Sequence, residues 1–186
     1  MGNRGGALHN ENREIVRQYK SRRWIACVLE FRGRKRQVMS PGRYTELFFL
    51  DEAVAFAAGH RPCAECRRER FNAFKRAWRQ ADPPGADEMD AELHPARIDS
   101  ARIGSERRKP TYNAPLDSLP DGCFVQIDGN PWLIWRDALL LWTPEVYTRR
   151  IGKPKKSIVA VLTPRPIVEC FRKGYEPVVH DSAHSL

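Results

Sequence analysis

"DEAVAFAAGHRPCAECRRERFNAF", residues 51–74, holds a helix, a stop, a cysteine pair and the start of a second helix in one run. Asp51 can accept from the free amides of the first helix, alanines fill its interior, and Gly59 offers the left-handed residue that ends it. After Cys63 and Cys66, the residues Phe71, Phe74 and Trp78 recur at spacings of three and four, an apolar stripe on an otherwise basic helix. The two-residue spacer of C-x-x-C folds both sulfurs to one side, where two thiolates can share a tetrahedral ion. The amides that open the following helix favour the thiolate form. A redox pair of the thioredoxin kind would end a strand in a βαβ pattern; this pair follows a helix and a glycine stop, which favours a metal.

Upstream, "RRWIACVLEFRG" reads as a strand ending at Gly33, and a turn at Pro41-Gly42 leads to a second strand over Tyr44 to Leu50. Downstream, Pro83-Pro84-Gly85 heads an acidic break at 82–92 and sets a boundary. Residues 1–81 form a first module, and 82–118, with Pro95, Gly104, Pro110 and Pro115, are expected to be mostly loop with one helical turn. In 119–186, "CFVQID", a Gly129-Asn130 turn, "PWLIWRD" and "ALLLW" have the spacing of a β-meander, and "SIVAVLTP" is a further strand. Ile167, Cys170 and Phe171 share one face of a short helix that stops at Gly174, after which the tail with His180 and His184 is expected to fray. The expected fold is α+β: a small zinc-knuckle module and a β-rich meander or barrel with a C-terminal helix.

The order of elements around the cysteines is distinctive. A strand ending in Phe48-Phe49, a helix ending in Ala57-Ala58-Gly59, then His60, Arg61-Pro62-Cys63, Cys66 and Arg67 resembles the metal-binding domain of Ada-type methylated-DNA repair proteins over about residues 44–68. The wider chain resembles a bacterial family that carries this knuckle near its N-terminus. The Ada resemblance implies zinc, with Cys63 and Cys66 as the second pair of ligands. That family brings two more cysteines from upstream, one of which accepts a methyl group from a DNA phosphotriester. Here the sole upstream cysteine is Cys27, in "WIACVLEF", where a buried small hydrophobe is the plainer reading, so methyl transfer is not carried over. Histidine can fill the open positions. His9, in the polar approach "GGALHNENRE", is the best third ligand; His94 is the next candidate, a water is the other option, and His60 reads as packing.

The 186 residues carry a net charge of +9, unevenly spread. Residues 1–36 hold ten Lys/Arg against three Glu, and residues 60–80 hold seven against two. Clusters of this density suit a nucleic acid or another polyanion, with Arg61, Arg67, Arg68 and Arg70 beside the metal reaching phosphates. A second reading is an enzyme of DNA or nucleotide metabolism with a pocket between the modules, drawing on His94, Asp99 and Glu106. A third is a protein-interaction module whose metal replaces core. A zinc deaminase is disfavoured, although "PCAEC" matches the second half of the deaminase H-x-E…P-C-x-x-C signature. Five cysteines, an odd number, point to reduced thiols, and without an apolar leader or an eighteen-residue apolar run a cytoplasmic protein with no membrane partner is expected.

Overall fold

The computed structural model describes residues 1–33, 37–99 and 109–186. No helix among them is long and apolar enough to cross a membrane. Among the described residues, two sheets and four α-helices make an α+β fold. The first sheet has three very short strands, β1 (Gly2–Arg4), β2 (Trp24–Ala26) and β3 (Arg61–Pro62). β1 runs antiparallel to β2, with Asn3 opposite Ile25, and β3 runs parallel to it, with Ala26 beside Pro62. Much of "RRWIACVLEFRG" therefore stays irregular. The strand expected over Tyr44 to Leu50 reduces to an isolated bridge between Gly2 and Leu47. Apart from β1 and β2, the described chain before it is irregular, with Arg13, Arg32 and Met39 at positive φ, which leaves no long partner to pair with.

Helix α1 (Glu52–Ala57) begins as the sequence suggests, with the Asp51 carboxylate accepting from the Val54 amide at 2.8 Å. Gly59 ends it at φ +84, and a Cβ there would lie 2.8 Å from Cγ of Arg97. α2 (Arg68–Trp78) follows the cysteine turn and buries Phe71, Phe74 and Trp78. Where the composition reads as loop with a single turn, the chain forms α3 (Ala86–Arg97). Met89 and Leu93, four apart, are fully buried on one face. Pro95 sits in the last turn, where its missing N–H costs one ladder bond and stops nothing downstream.

The second sheet has the order β4-β9-β5-β6-β7-β8, antiparallel throughout. β5 (Phe124–Ile127), β6 (Asn130–Trp135), β7 (Ala138–Trp142) and β8 (Tyr147–Gly152) are the expected meander, extended through the basic "YTRRIG". β9 (Ile158–Val161) pairs with the free side of β5 and carries β4 (Tyr112–Pro115) beyond it. The hairpin between β5 and β6 turns at Asp128 (φ 49) and Gly129 (φ 77), one residue earlier than expected. Two successive positive-φ residues suit the twist of a tight hairpin, and Asp-Gly is well adapted to both.

Side-chain alternation gives this sheet two covered faces. On one, Val125, Trp132, Ile134, Leu139 and Val161 join a cluster with Phe56, Phe74, Met89, Leu93 and, from α4 (Arg165–Arg172), Ile167, Val168 and Phe171. On the other, Phe124, Leu133, Leu140 and Tyr147 pack with Ala53 and with Val179 and Ala183 of the tail. The tail is thus ordered rather than frayed: its Val179 and Ala183 are buried, and the His180 amide donates to Asp51 at 3.0 Å. Tyr147 donates to the same carboxylate at 2.6 Å, so one residue caps α1 and ties it to β8 and the tail.

A buried ion triad links α3 to the first sheet. Asp90, 1% exposed, accepts from Arg61 Nε at 3.1 Å and Nη2 at 2.6 Å, and from Arg97 Nη2 at 3.1 Å. Removing a buried counter-charge strands its partners in low dielectric, so Asp90→Ala is expected to cost ~3–5 kcal/mol of unfolding free energy. Asp87→Ala, which breaks an exposed pair with Arg23, is expected to cost less than ~1 kcal/mol. Urea titration of both variants measures the difference, and equal losses would mean that the triad does not hold α3 in place.

Candidate metal centre

Parallel pairing of β2 and β3 sends both chains out of the sheet at the same end. Cys27 directly follows Ala26 and Cys63 directly follows Pro62, the two residues in register. The Cys63 amide donates to the Ala26 carbonyl at 3.0 Å, and the Cys27 amide to the Met1 carbonyl at 2.6 Å, fixing the two backbones side by side. From Cys63 the chain makes one turn, closed by the Arg67 amide on the Cys63 carbonyl at 3.1 Å, and returns Cys66 to the same spot before α2 begins. The sulfurs of Cys27, Cys63 and Cys66 all lie within 4.8 Å of one another.

These residues fit a tetrahedral thiophilic ion. Zn–S bonds of about 2.3 Å place tetrahedral sulfurs ~3.8 Å apart, a spacing the cluster reaches with small rotations. The surroundings also favour negative sulfur. The Cys27 thiol donates to Cys63, which, with the backbone amides of Cys66 and Glu65 also directed at its sulfur, pulls the Cys63 thiol down to about 5 against an opposing push from burial. The Val28 amide donates to the Cys66 sulfur, although burial, the larger effect, raises that thiol. Cys27 is pushed up, first by its hydrogen bond to Cys63 and then by burial. A divalent cation held there would replace the protons and stabilise all three sulfurs as thiolates. Cys27 and Cys63 are buried and Cys66 is half-buried, so the cluster reaches solvent on the Cys66 side. A cavity of about 260 Å³ is lined by Ala26 and Arg67, the chain neighbours of Cys27 and Cys66, together with Leu29, Val178 and His180, and by none of the three cysteines.

The residue that joins the cysteine pair is Cys27, and His9, the expected third ligand, lies away from the cluster. His9 is buried elsewhere, its Nδ1 2.6 Å from Oγ1 of Thr45 and its Nε2 3.3 Å from the Ser40 carbonyl. Thr45 also accepts from the Leu8 amide at 2.7 Å, so His9 holds the N-terminal segment against the 40–45 turn. His60 is enclosed between Trp24 and Phe49, with ring centroids 5.6 and 4.7 Å away, and burial holds its pKa well below the usual imidazole value. His94 lies on α3 with its ring against Tyr19, centroids 5.0 Å apart. Asp99 follows α3, and Glu106 lies outside the described residues. Among the described residues no fourth His, Cys, Asp or Glu joins the three cysteines. Cys123 and Cys170 are buried thiols in the main apolar cluster, where burial raises both.

The four arginines expected to face phosphates are used unequally. Arg61 is enclosed with Asp90 and is not at the surface. Arg70 pairs with buried Glu52, donates to the Glu176 carbonyl at 2.6 Å and lies 4.5 Å over the Tyr175 ring. Arg67, about a quarter exposed, is 3.6 Å from Glu52 and donates to the Cys27 carbonyl at 3.4 Å. Arg68 is exposed. Comparison with models of protein families, with curated proteins and with solved structures finds no match for this chain.

The donor set makes a direct prediction for metal content. Elemental analysis of the purified protein should find one zinc per chain, lost in Cys27→Ser and Cys63→Ser and retained in His9→Ala and Cys123→Ser. Retention in Cys27→Ser with loss in His9→Ala would reverse the ligand assignment.

Proposed function

We propose that this protein binds a zinc ion through Cys27, Cys63 and Cys66 and uses the ordered knuckle to present a basic surface to nucleic acid. The observation that carries the reading is the convergence of three sulfurs from two segments at the start of a basic helix. Three thiolates with amide donors suit zinc, a borderline-soft d¹⁰ ion with no demand for a particular ligand field. The likeness to Ada-type domains in the strand, the Ala-Ala-Gly helix and the R-P-C-x-x-C turn supports the same metal. Cys27 stands where one of that family's two upstream cysteines would be expected, and the other has no counterpart. The net charge of +9 supports a polyanionic partner.

When bound, the ion would fix the entry of α2 and hold three thiolates as a local negative centre. Arg67, bonded to the Cys27 carbonyl and close to Glu52, stands beside that charge. A zinc enzyme is the second reading, favoured by the set of only three clustered donors among the described residues and by the adjoining cavity. Cobalt substitution separates the two: an absorption spectrum that shifts when a small ligand such as imidazole is added means an exchangeable fourth position, and an unmoved spectrum means a closed one.

The nucleic-acid half predicts binding of zinc-loaded protein to a fluorescent duplex, followed by anisotropy. Affinity should fall steeply as salt rises from 50 to 200 mM, as counterion release requires. Failure to bind duplex or single strand at the lower salt, with zinc present at one per chain, would remove this half and leave the metal site standing.

A further inference from the structure

We infer that α2 is the element that meets duplex DNA, lying in the major groove with Arg68 and Arg76 on phosphates and Asn72 between them at the base edges. The inference deepens the nucleic-acid reading above and rests on it. Arg68, Asn72 and Arg76 are all exposed and follow one another at intervals of four on a regular helix, so they share one face. An α-helix with its side chains is about 10–12 Å across, and the B-DNA major groove, about 12 Å wide, admits it. Asparagine is a residue that reads adenine through paired hydrogen bonds, while arginines at either end can hold the phosphates that set register.

Charge complementarity commits this face to a polyanion. Lys75 adds a half-buried cation between the two arginines, and the helix sets only Glu69 against them, with Glu65 in the turn before it. Arg79 is taken up by Glu88 and Glu92 of α3 and limits the free surface at that end. Alongside Arg76, a groove of about 630 Å³ between α2 and the end of α4 is lined by Ala73, Ala77, Glu176 and Lys173, whose ammonium donates to the Trp78 carbonyl at 3.0 Å. The opposite face of α2 is fixed by Phe71, Phe74 and Trp78 in the core, and its first turn by the cysteine knuckle, so the presenting face is rigid. The deep, narrow major groove of A-form RNA would exclude a helix used in this way, which favours duplex DNA over duplex RNA.

The test uses the full-length, zinc-loaded protein and a labelled duplex of random sequence, titrated at several salt concentrations. Arg68→Ala and Arg76→Ala are each expected to raise Kd about 3- to 10-fold and to lower the salt slope by about one. Asn72→Ala should leave the salt slope unchanged and alter the sequences recovered from a randomised duplex library. Arg149→Ala, in the basic segment of β8, should bind as the parent protein does. Zinc content measured on each variant must stay at one per chain, which separates loss of contact from loss of the knuckle. If Arg149→Ala weakens binding while the α2 variants do not, nucleic-acid binding stands and α2 is not its surface. Tighter binding to single-stranded DNA or to duplex RNA overturns the groove assignment, and no binding to any nucleic acid overturns both proposals together.

Discussion

Two residue pairs of parallel backbone, Ile25 with Arg61 and Ala26 with Pro62, decide what the front of this molecule is. Proline has no N–H to give, so the ladder passes to the next residue, and the Cys63 amide closes it on the Ala26 carbonyl. That bond aligns Cys27 with Cys63, and the turn to Cys66 completes the cluster. The direction of α2 follows from the turn, and the direction of α2 sends Phe71, Phe74 and Trp78 into the apolar cluster shared with the large sheet. A few hydrogen bonds therefore determine the geometry at both ends of a long chain of packing.

Buried charge sorts the basic residues into two populations. Asp90 engages Arg61 and Arg97, and Glu52 engages Arg70, with Arg67 nearby. Glu52 accepts in addition from the Tyr175 hydroxyl and the Val178 amide, both at 3.0 Å, so its whole acceptor capacity serves the joint between α1, α2 and the tail. These arginines are parts of the scaffold. Arg68 and Arg76, by contrast, are exposed along α2.

How much of this was legible in the sequence depends on the range of the interaction. The C-x-x-C turn, the Asp51 cap, the apolar stripe of α2 and the meander are encoded within a few residues, and they read correctly from spacing alone. Cys27 was not legible as a partner of Cys63, because a cysteine that follows a buried strand and a cysteine that ligates from its end have the same neighbours in sequence. The signal that could have found it was the upstream position that the Ada-type pattern requires. His9 looked suitable on chemistry, since imidazole is an ordinary ligand, and it was claimed instead by Thr45, a contact across 36 residues. α3 was hidden by Pro95 and the proline-glycine opening, although Met89 and Leu93 carried the spacing that burial uses. Arg61 looked available because its sequence neighbours are basic, and nothing local announced Asp90, which lies 29 residues further on.

Gly59 shows how tightly these parts interlock. Its backbone is left-handed, and the space where a side chain would begin is occupied by Cγ of Arg97, the inner part of a guanidinium arm pinned by Asp90 and by the Arg22 carbonyl. A substituent there would strain its own torsion and push on a side chain that has nowhere to retreat. An exposed arginine can be exchanged without moving its neighbours, whereas a side chain at position 59 would have to displace the arm that joins the end of α1 to the buried carboxylate.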